Sequence, residues 1–470
     1  MARQPQTAAR ASTRNSAARN SAARATKANS NGKPARRAAK LSRTRKPEDM
    51  SLDQWQVELR RQFGREQPFT LENVGAERLF SDYHVTNPAS GKTYRVAIRG
   101  CALGENYCSC PDYAVNALGT CKHIEFTLAQ LEEKRGAKAQ LALGFHPEYS
   151  QVYLQYGARR EVVFQAGTEC PPAMKRYAQR FFDESGRLKD GQHVGFHLFL
   201  KKASEAGDHD VRCYDDALRF IAELRDRDHV RAEVERLYGR TNAAAWRQLL
   251  KVQLYPYQRE GALFAAKAGR SLIADDMGLG KTIQAIAAAE MLAKVAGIER
   301  VLVVSPTSLK HQWKQEIAKF TGRQALVVEG LLPERRRGYK AESFYKLVNY
   351  DVIHRDLEDI AAWQPDLVIL DEAQRIKNWK TRAAQSVKQL QSPFAIVLTG
   401  TPLENRLEEL HSIVEFVDRF RLGPMFRFLD KHQEVDETGR VIGYRNLSKV
   451  TETLKPILVR RTKKEVLNEL

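Results

Sequence analysis

Ser271-Leu-Ile-Ala-Asp-Asp-Met-Gly-Leu-Gly-Lys-Thr-Ile283 is the stretch on which the reading of this chain turns. Its opening, Leu272-Ile273-Ala274, is a short apolar run that predicts a buried strand. The turn Asp275-Asp276-Met277-Gly278-Leu279-Gly280 then delivers Lys281-Thr282 onto a helix predicted over 282–296, rich in Ala, Ile and Leu. This arrangement suits a triphosphate. Glycines let backbone N–H groups close on phosphate oxygens, and the helix N-terminus adds the positive end of its dipole. A Lys reaches the β/γ phosphates, and a Thr hydroxyl ligates Mg²⁺. The strict pattern has Gly six residues before the Lys; here that position is Asp275. The alternative is an ordinary strand–turn–helix whose glycines serve only the turn.

Working outward, Asp366-Leu-Val-Ile-Leu-Asp-Glu-Ala-Gln374 is an apolar strand ending in two carboxylates. One acid at a strand end holds Mg²⁺ against the phosphates, and a second orients or deprotonates the attacking water. Asp371 and Glu372 supply both, about ninety residues after the Lys-Thr loop. An isolated acidic pair is more simply a solvated strand end, a reading that the earlier loop makes improbable. Further strands are expected at 301–305, 324–328, 347–351 and 394–398, with helical stretches between them, one opening at Pro306–Trp313. Alternation of this kind predicts an α/β fold, a parallel sheet with helices on both faces and ligands at its C-terminal edge. Upstream, in Leu254-Tyr-Pro-Tyr-Gln-Arg-Glu-Gly261, the amide of Gln258 can read adenine; a plain helix-surface amide is the alternative.

The 470 residues allow two to four domains, and no apolar run reaches the ~20 residues of a membrane span. The formal charge of +19 is unevenly placed: residues 1–47 hold 13 Lys/Arg and no Asp/Glu, and the rest carries 63 basic and 57 acidic residues. This segment repeats Asn-Ser-Ala-Ala-Arg at 15–19 and 20–24, and apart from Met1 its only large apolar residue is Leu41. A disordered basic arm over 1–48 is expected, since no core repays its ordering. It either contacts nucleic-acid phosphates or is a solubilising tail; a transit peptide would need an apolar helical face that is missing. Six cysteines with no signal peptide argue against a disulfide scaffold and for a reducing compartment.

Residues 49–144 read as an N-terminal module. Trp55, Val57, Leu59 and Phe63 mark a helix, and strands are expected within 78–87 and 93–98. Cys108 and Cys110 are two apart, as are Cys121 and His123. Residues at i and i+2 of an extended chain point to one side, so each pair can offer two ligands to one ion. Three thiolates and an imidazole suit structural Zn²⁺; buried thiols and a surface His are the alternative, which fits Cys101, Cys170 and Cys213. Residues 145–250 suggest a hairpin around Gly157, two charged helices over 215–224 and 229–238, and a mostly helical connector or partner-binding region.

The C-x-C and C-x-H pairs resemble the SWIM-type zinc finger, here about 94–134, a module that in its family binds DNA or protein partners. DMGLGKT (276–282), SPTSLKHQW (305–313), LDEAQRIKN (370–378), LTGTPLENRLEEL (398–410) and ILVRRTKKEV (457–466) resemble motifs of the Swi/Snf family of superfamily-two, helicase-like ATPases. The resemblance spans 251–470 and implies a RecA-like P-loop lobe. By it, Gln258 reads adenine, residues 275–282 surround ATP, Lys281 and Thr282 meet phosphate and Mg²⁺, Asp371 holds Mg²⁺ and Glu372 activates water. It also implies that Pro306, Thr307, Ser308, Asn349 and Tyr350 touch the backbone of double-stranded DNA. Thr399 and Thr401 would couple hydrolysis to movement, together with Gln374, which stands where many relatives have His. The segment 421–454 resembles a helical insertion. The order of parts resembles bacterial Swi/Snf-like proteins with a zinc module, implying the bacterial cytoplasm or nucleoid. The family has a second RecA-like lobe carrying arginine fingers, and no residue here matches its motifs. Weak turnover by this chain alone is therefore expected. The rival reading is a non-catalytic DNA- or protein-binding factor that retains ATP binding; a GTPase is disfavoured, for want of a guanine-reading Asn-Lys-x-Asp.

Overall fold

Stretches that are apolar residue after residue need cover on both faces, which a parallel sheet between helices receives. Seven strands meet in such a sheet: β1 (Arg270–Ile273), β2 (Val301–Ser305), β3 (Ala325–Val327), β4 (Tyr345–Asn349), β5 (Leu367–Leu370), β6 (Phe394–Leu398) and β7 (Leu458–Val459). Every pairing is parallel, in the order β3-β4-β2-β5-β6-β1-β7. The structure, a computed structural model, describes residues 40–156, 159–205, 207, 209–239, 243–400, 406–438 and 440–466. The expected α/β class is therefore observed.

Helices α1 (Pro256–Ala268), α2 (Lys281–Ala296), α3 (Lys310–Thr321) and α4 (Tyr350–Trp363) flank the sheet. Pleating sends alternate residues to opposite faces. Val301, Val303, Leu367 and Ile369 join α1, α2 and α3 in one core, while Leu302, Val304, Val368 and Leu370 join α4 in the other. α2 is buried continuously from Gln284 to Leu292, which is why Ala and Ile surround it without a polar stripe. Because all the strands run one way, the segments after β1, β2, β4, β5 and β6 leave from a single edge.

Two smaller cores precede the sheet in sequence. An antiparallel sheet of Thr70–Asn73, Asp82–Thr86, Thr93–Ala97 and Tyr107–Cys108 closes with helix Lys122–Glu132 over Phe69, Tyr83, Val85 and Ile124. Helix Leu52–Glu66, capped by Ser51, crosses this helix at Gly64, where a Cβ would lie 2.6 Å from the Lys122 carbonyl. The second core gathers Phe181, Phe182, Phe196 and Phe199 on strands Ser150–Tyr156, Arg160–Gln165 and Val211–Cys213. The first two of these form the expected hairpin; Gly157 itself lies outside the described residues.

Two expectations need correcting, and a third lies mostly outside the described residues. The helices foreseen over 215–224 and 229–238 are one, Asp215–Tyr238, since no Gly or Pro separates them and solvent accepts the charges at 225–228. It lends Ala217 and Ile221 to the aromatic core and Val230, Val234 and Tyr238 to the large sheet's core. The segment 421–454 is not wholly helical: between Met425–His432 and Leu447–Leu454 lies an antiparallel ribbon, Gln433–Val435 with Val441–Tyr444. Its β-branched Val435, Val441 and Ile442 favour strand. The arm foreseen over 1–48 falls mostly outside the described residues. From Ser42 the chain is already anchored, its carbonyl accepting from the Trp55 indole at 3.1 Å.

Arg427 grips Asp53 with two bonds of 2.8 and 2.9 Å, and the Arg160 guanidinium lies 4.0 Å from the centre of the Phe420 ring. Both earlier cores are thereby tied to the large-sheet region. Among the described residues no helix is long and apolar enough to cross a membrane.

Candidate nucleotide and metal sites

After β1 the chain turns through 274–280. Gly278 (φ 88°) and Gly280 (φ 70°) take left-handed backbone conformations that glycine adopts without strain. Met277 and Gly278 are exposed, whereas Leu279 is buried against Tyr257 and Val466, so the loop stands on an apolar peg with its tip in solvent. The Lys281 ammonium donates to the carbonyls of Asp275 (2.9 Å) and Asp276 (3.2 Å). Burial lowers its pKa, against the raising influence of Glu372, Asp275 and Asp371. Thr282 follows in the first turn of α2. Gly400, after β6, closes on the same loop: a Cβ there would lie 2.9 Å from Met277 Cγ and 3.4 Å from Lys281 Nζ.

The sequence puts Asp275 among the ATP-binding residues, and its side chain is engaged with Arg461 and Gln284. The carboxylate is fully buried and accepts from Arg461 (Nε 3.1 Å, Nη2 2.6 Å, backbone N–H 3.0 Å) and from Gln284 Nε2 (3.0 Å). Arg461 also donates to Gln284 Oε1 at 2.8 Å and to the Tyr257 carbonyl. Asp276 binds the same segment, donating its N–H to the Arg461 carbonyl and accepting from Lys463 N–H, both at 3.0 Å. Gln258 is buried; its Oε1 accepts from Tyr255 N–H at 3.1 Å, and its Nε2 faces the Leu279 carbonyl at 3.5 Å.

β5 ends at Leu370 and places Asp371 and Glu372 at the same edge. Asp371 is 8% exposed, and burial raises its pKa, opposed by a 2.8 Å bond from Trp313 Nε1 to Oδ2. Glu372 takes φ 51°, ψ 56°, a conformation that costs a non-glycine residue of order 1 kcal/mol and recurs at functional sites. Its Oε2 accepts from Gln374 Nε2 at 2.7 Å, while Gln374 Oε1 is buried without a hydrogen-bond partner. Thr399 is buried, its N–H donating to the Ile273 carbonyl at 3.1 Å; Thr401 lies outside the described residues. The Thr282 hydroxyl and the Asp371 carboxylate are hard oxygen donors of the kind Mg²⁺ takes, and Lys281 is close enough to feel both acids.

Pro306 leads into an exposed turn, Thr307–Leu309, ahead of α3. Asn349, at the end of β4, donates its amide to Thr307 Oγ1 at 3.1 Å, so these two segments meet. Tyr350 does not share their surface. It is 2% exposed, and its hydroxyl donates to the Asp371 carbonyl at 2.7 Å, so the expected contact with DNA is corrected to an internal one.

In the N-terminal module the ligand atoms of Cys108, Cys110, Cys121 and His123 all lie within 4.8 Å of one another, and all four residues are buried. They converge by a different route from the two extended pairs expected. Cys108 ends a strand, Cys110 and Cys121 are helix N-caps in extended conformation, and His123 sits in a helical first turn. Burial pushes the Cys108 and Cys121 thiols up, while hydrogen bonding from Cys108 pulls Cys110 down. A set of three sulfurs and one imidazole nitrogen at this spacing fits tetrahedral Zn²⁺.

Sequence reasoning missed two residues. Trp313 was legible only as part of a motif; the cue lay in an indole N–H that, once buried, needs an acceptor. Arg461, likewise quoted only within a motif, gave no cue to its partner Asp275, 186 positions away.

Residues 177–470 match the SNF2-related domain, well over half of the chain. YwqA of Bacillus subtilis (strain 168), whose name includes the words ATP-dependent helicase/translocase, is 33% identical over 226 residues, covering 46% of this chain and 24% of its own. The DNA repair and recombination protein RAD54B of Gallus gallus is 30% identical over 247 residues, 46% of this chain and 26% of its own. The Sulfolobus solfataricus SWI2/SNF2 ATPase core in complex with dsDNA is 31% identical, with a TM-score of 0.42, covering 47% of each chain. The chain spans about a quarter of the length of these curated relatives. With the loop, the acids and the sheet edge arranged as above, the chain belongs to the SNF2-related family.

Proposed function

We propose that the large-sheet region is the first, RecA-like ATP-binding lobe of a Swi/Snf-type DNA-dependent ATPase that moves on double-stranded DNA. The observation that carries this reading is convergence: one sheet edge gathers Lys281, the Asp371–Glu372 pair and the bonded Thr307–Asn349 surface. In this reading the 276–282 loop cradles the phosphates and Thr282 and Asp371 hold Mg²⁺, which neutralises charge on the transferring phosphate. Gln258 borders adenine, and Glu372, oriented by Gln374, prepares the water. Thr307, Ser308 and Asn349 meet the DNA backbone, and Thr399, Thr401 and Gln374 couple turnover to movement. The names of YwqA and RAD54B support the nucleic-acid side of it.

The Cys108–His123 cluster is assigned to a SWIM-type Zn²⁺ site, a docking module for DNA or protein, with residues 145–250 as a further partner surface. The order of parts favours a bacterial protein of the cytoplasm or nucleoid. One observation favours the rival, a binding factor that keeps ATP but hydrolyses little: Arg461, beside the loop, is held by Asp275. An arginine finger raises phosphoryl-transfer rates by roughly 10³–10⁵-fold.

Isothermal titration of ATP into residues 1–470 tests the core of the reading. Binding is expected, and Lys281→Ala should weaken it at least ~tenfold, the loss of one charge-assisted phosphate contact. Unchanged binding in that variant refutes the site. Hydrolysis by residues 1–470 alone should be slow and insensitive to duplex. Brisk DNA-stimulated turnover, abolished by Glu372→Gln, would instead show that these residues complete the site themselves.

A further inference from the structure

Asp371 is held from two sides by residues outside the acidic stretch. Trp313 Nε1 donates to its Oδ2 at 2.8 Å, and the Tyr350 hydroxyl donates to its carbonyl at 2.7 Å. Both donors are buried, so water does not compete for these bonds. Oδ1 accepts from Glu372 N–H at 2.9 Å, which leaves the carboxylate one orientation.

Each donor is rooted in a different surface segment of the same sheet edge. Trp313 lies in the first turn of α3, directly behind the exposed Thr307–Leu309 turn. Tyr350 is the first residue of α4, next to Asn349. Asn349 and Thr307 are bonded to each other at 3.1 Å. Two surface segments are therefore joined to each other above and to one residue below, Trp313 to the Asp371 carboxylate and Tyr350 to its backbone carbonyl. A helix moves as a rigid unit, so a displacement of the Thr307–Leu309 turn carries Trp313 with it.

We propose that Trp313 and Tyr350 are positioning residues that hold Asp371 for magnesium–nucleotide, and that through them a duplex on Thr307, Ser308 and Asn349 is registered at the metal site. This rests on the reading of Asp371 as a magnesium ligand. Mg²⁺ tolerates little departure from octahedral geometry, so a carboxylate freed to rotate binds it less well. The pair acts on Mg²⁺-dependent affinity, not on nucleotide affinity as such.

The test uses residues 1–470 with ¹⁵N-labelled tryptophan, in which Trp313→Phe identifies the Trp313 signal among the five indole N–H signals. The Trp313 signal is expected to move with ADP plus Mg²⁺ but little with ADP in EDTA, and to move again when blunt duplex DNA is added. Trp313→Phe and Tyr350→Phe should bind ADP in EDTA within about twofold of the parent. Both should lose most of the gain that Mg²⁺ brings, on the order of tenfold. Tyr350→Phe removes a single hydroxyl and carries the test should Trp313→Phe fail to fold. Asp371→Asn separates the two levels. If it retains the Mg²⁺ gain, the magnesium reading itself falls. If it loses the gain while both positioning variants keep theirs, the positioning role falls. A duplex that does not bind, or binds and leaves the Trp313 signal in place, overturns the coupling.

Discussion

Lys346 shows how this fold handles a charge at the scale of one residue. It lies within β4, fully buried, with its ammonium donating to the Tyr339 carbonyl and 4.3 Å from the centre of the Trp363 ring. Burial lowers its pKa to about 8, from an ordinary 10.5. The unfolded chain then holds the proton more readily than the folded one between those two values. Unfolding takes up a proton there, so raising the pH through about 8 to 10.5 stabilises the fold. Lys346→Met lacks this term. Thermal melts of both proteins from pH 7 to 10.5 should show the parent gaining on the variant as pH rises; parallel melts would mean that Lys346 reaches solvent. Gly400 is a second test at this scale. Its Cβ would crowd Met277 and Lys281, so Gly400→Ala should weaken ATP binding while leaving overall stability within about 1 kcal/mol.

At the scale of elements, the instructive case is β7, only two residues long, pairing with β1 at the edge of the sheet. Two residues of ladder hold little by themselves. Arg461, just beyond, adds the ion pair to Asp275, whose carboxylate is wholly buried. Removing one partner of such a pair strands the other charge, at about 3–5 kcal/mol. Arg461→Ala should therefore lower the unfolding midpoint of the large-sheet region markedly. Arg461→Met with Asp275→Leu should recover much of the loss, and a double variant no better than the single would refute the pairing argument. This is also where the sequence stopped being legible. That Lys281, Asp371 and Glu372 share one sheet edge was readable because each sits within a few residues of a strand end. The ion pair joins positions far apart in sequence and carries no local pattern. Tyr350 was misplaced because a motif reports neighbours along the chain, whereas the junction from β4 to α4 turns consecutive residues to different sides. Cys108, Cys110, Cys121 and His123 were identified as a group, but the helix start at Lys122 was not, so their expected geometry was wrong while their convergence was right.

At the scale of the whole molecule, the large sheet and the two smaller cores can be asked separately whether they stand alone. One Zn²⁺ per chain is expected, absent from Cys108→Ser and Cys121→Ser; metal analysis that finds none in chelator-free protein ends the idea. Structural zinc contributes on the order of 10–16 kcal/mol to a small module. Chelation should accordingly speed hydrogen exchange across 93–132 and spare the strands of the large sheet. Deleting 1–41 should flatten the salt dependence of duplex binding, since that segment is basic throughout. The other two cores are a different matter, because helix Asp215–Tyr238 has one end in each. At 1.5 Å per residue it is about 36 Å long. A chain severed at 250 would strip Val230, Val234 and Tyr238 from the flank of α1 and α2, so no clean seam exists there. The same shaft gives leverage: tilted by about 10° at the aromatic end, it sweeps its other end through about 6 Å beside the large sheet.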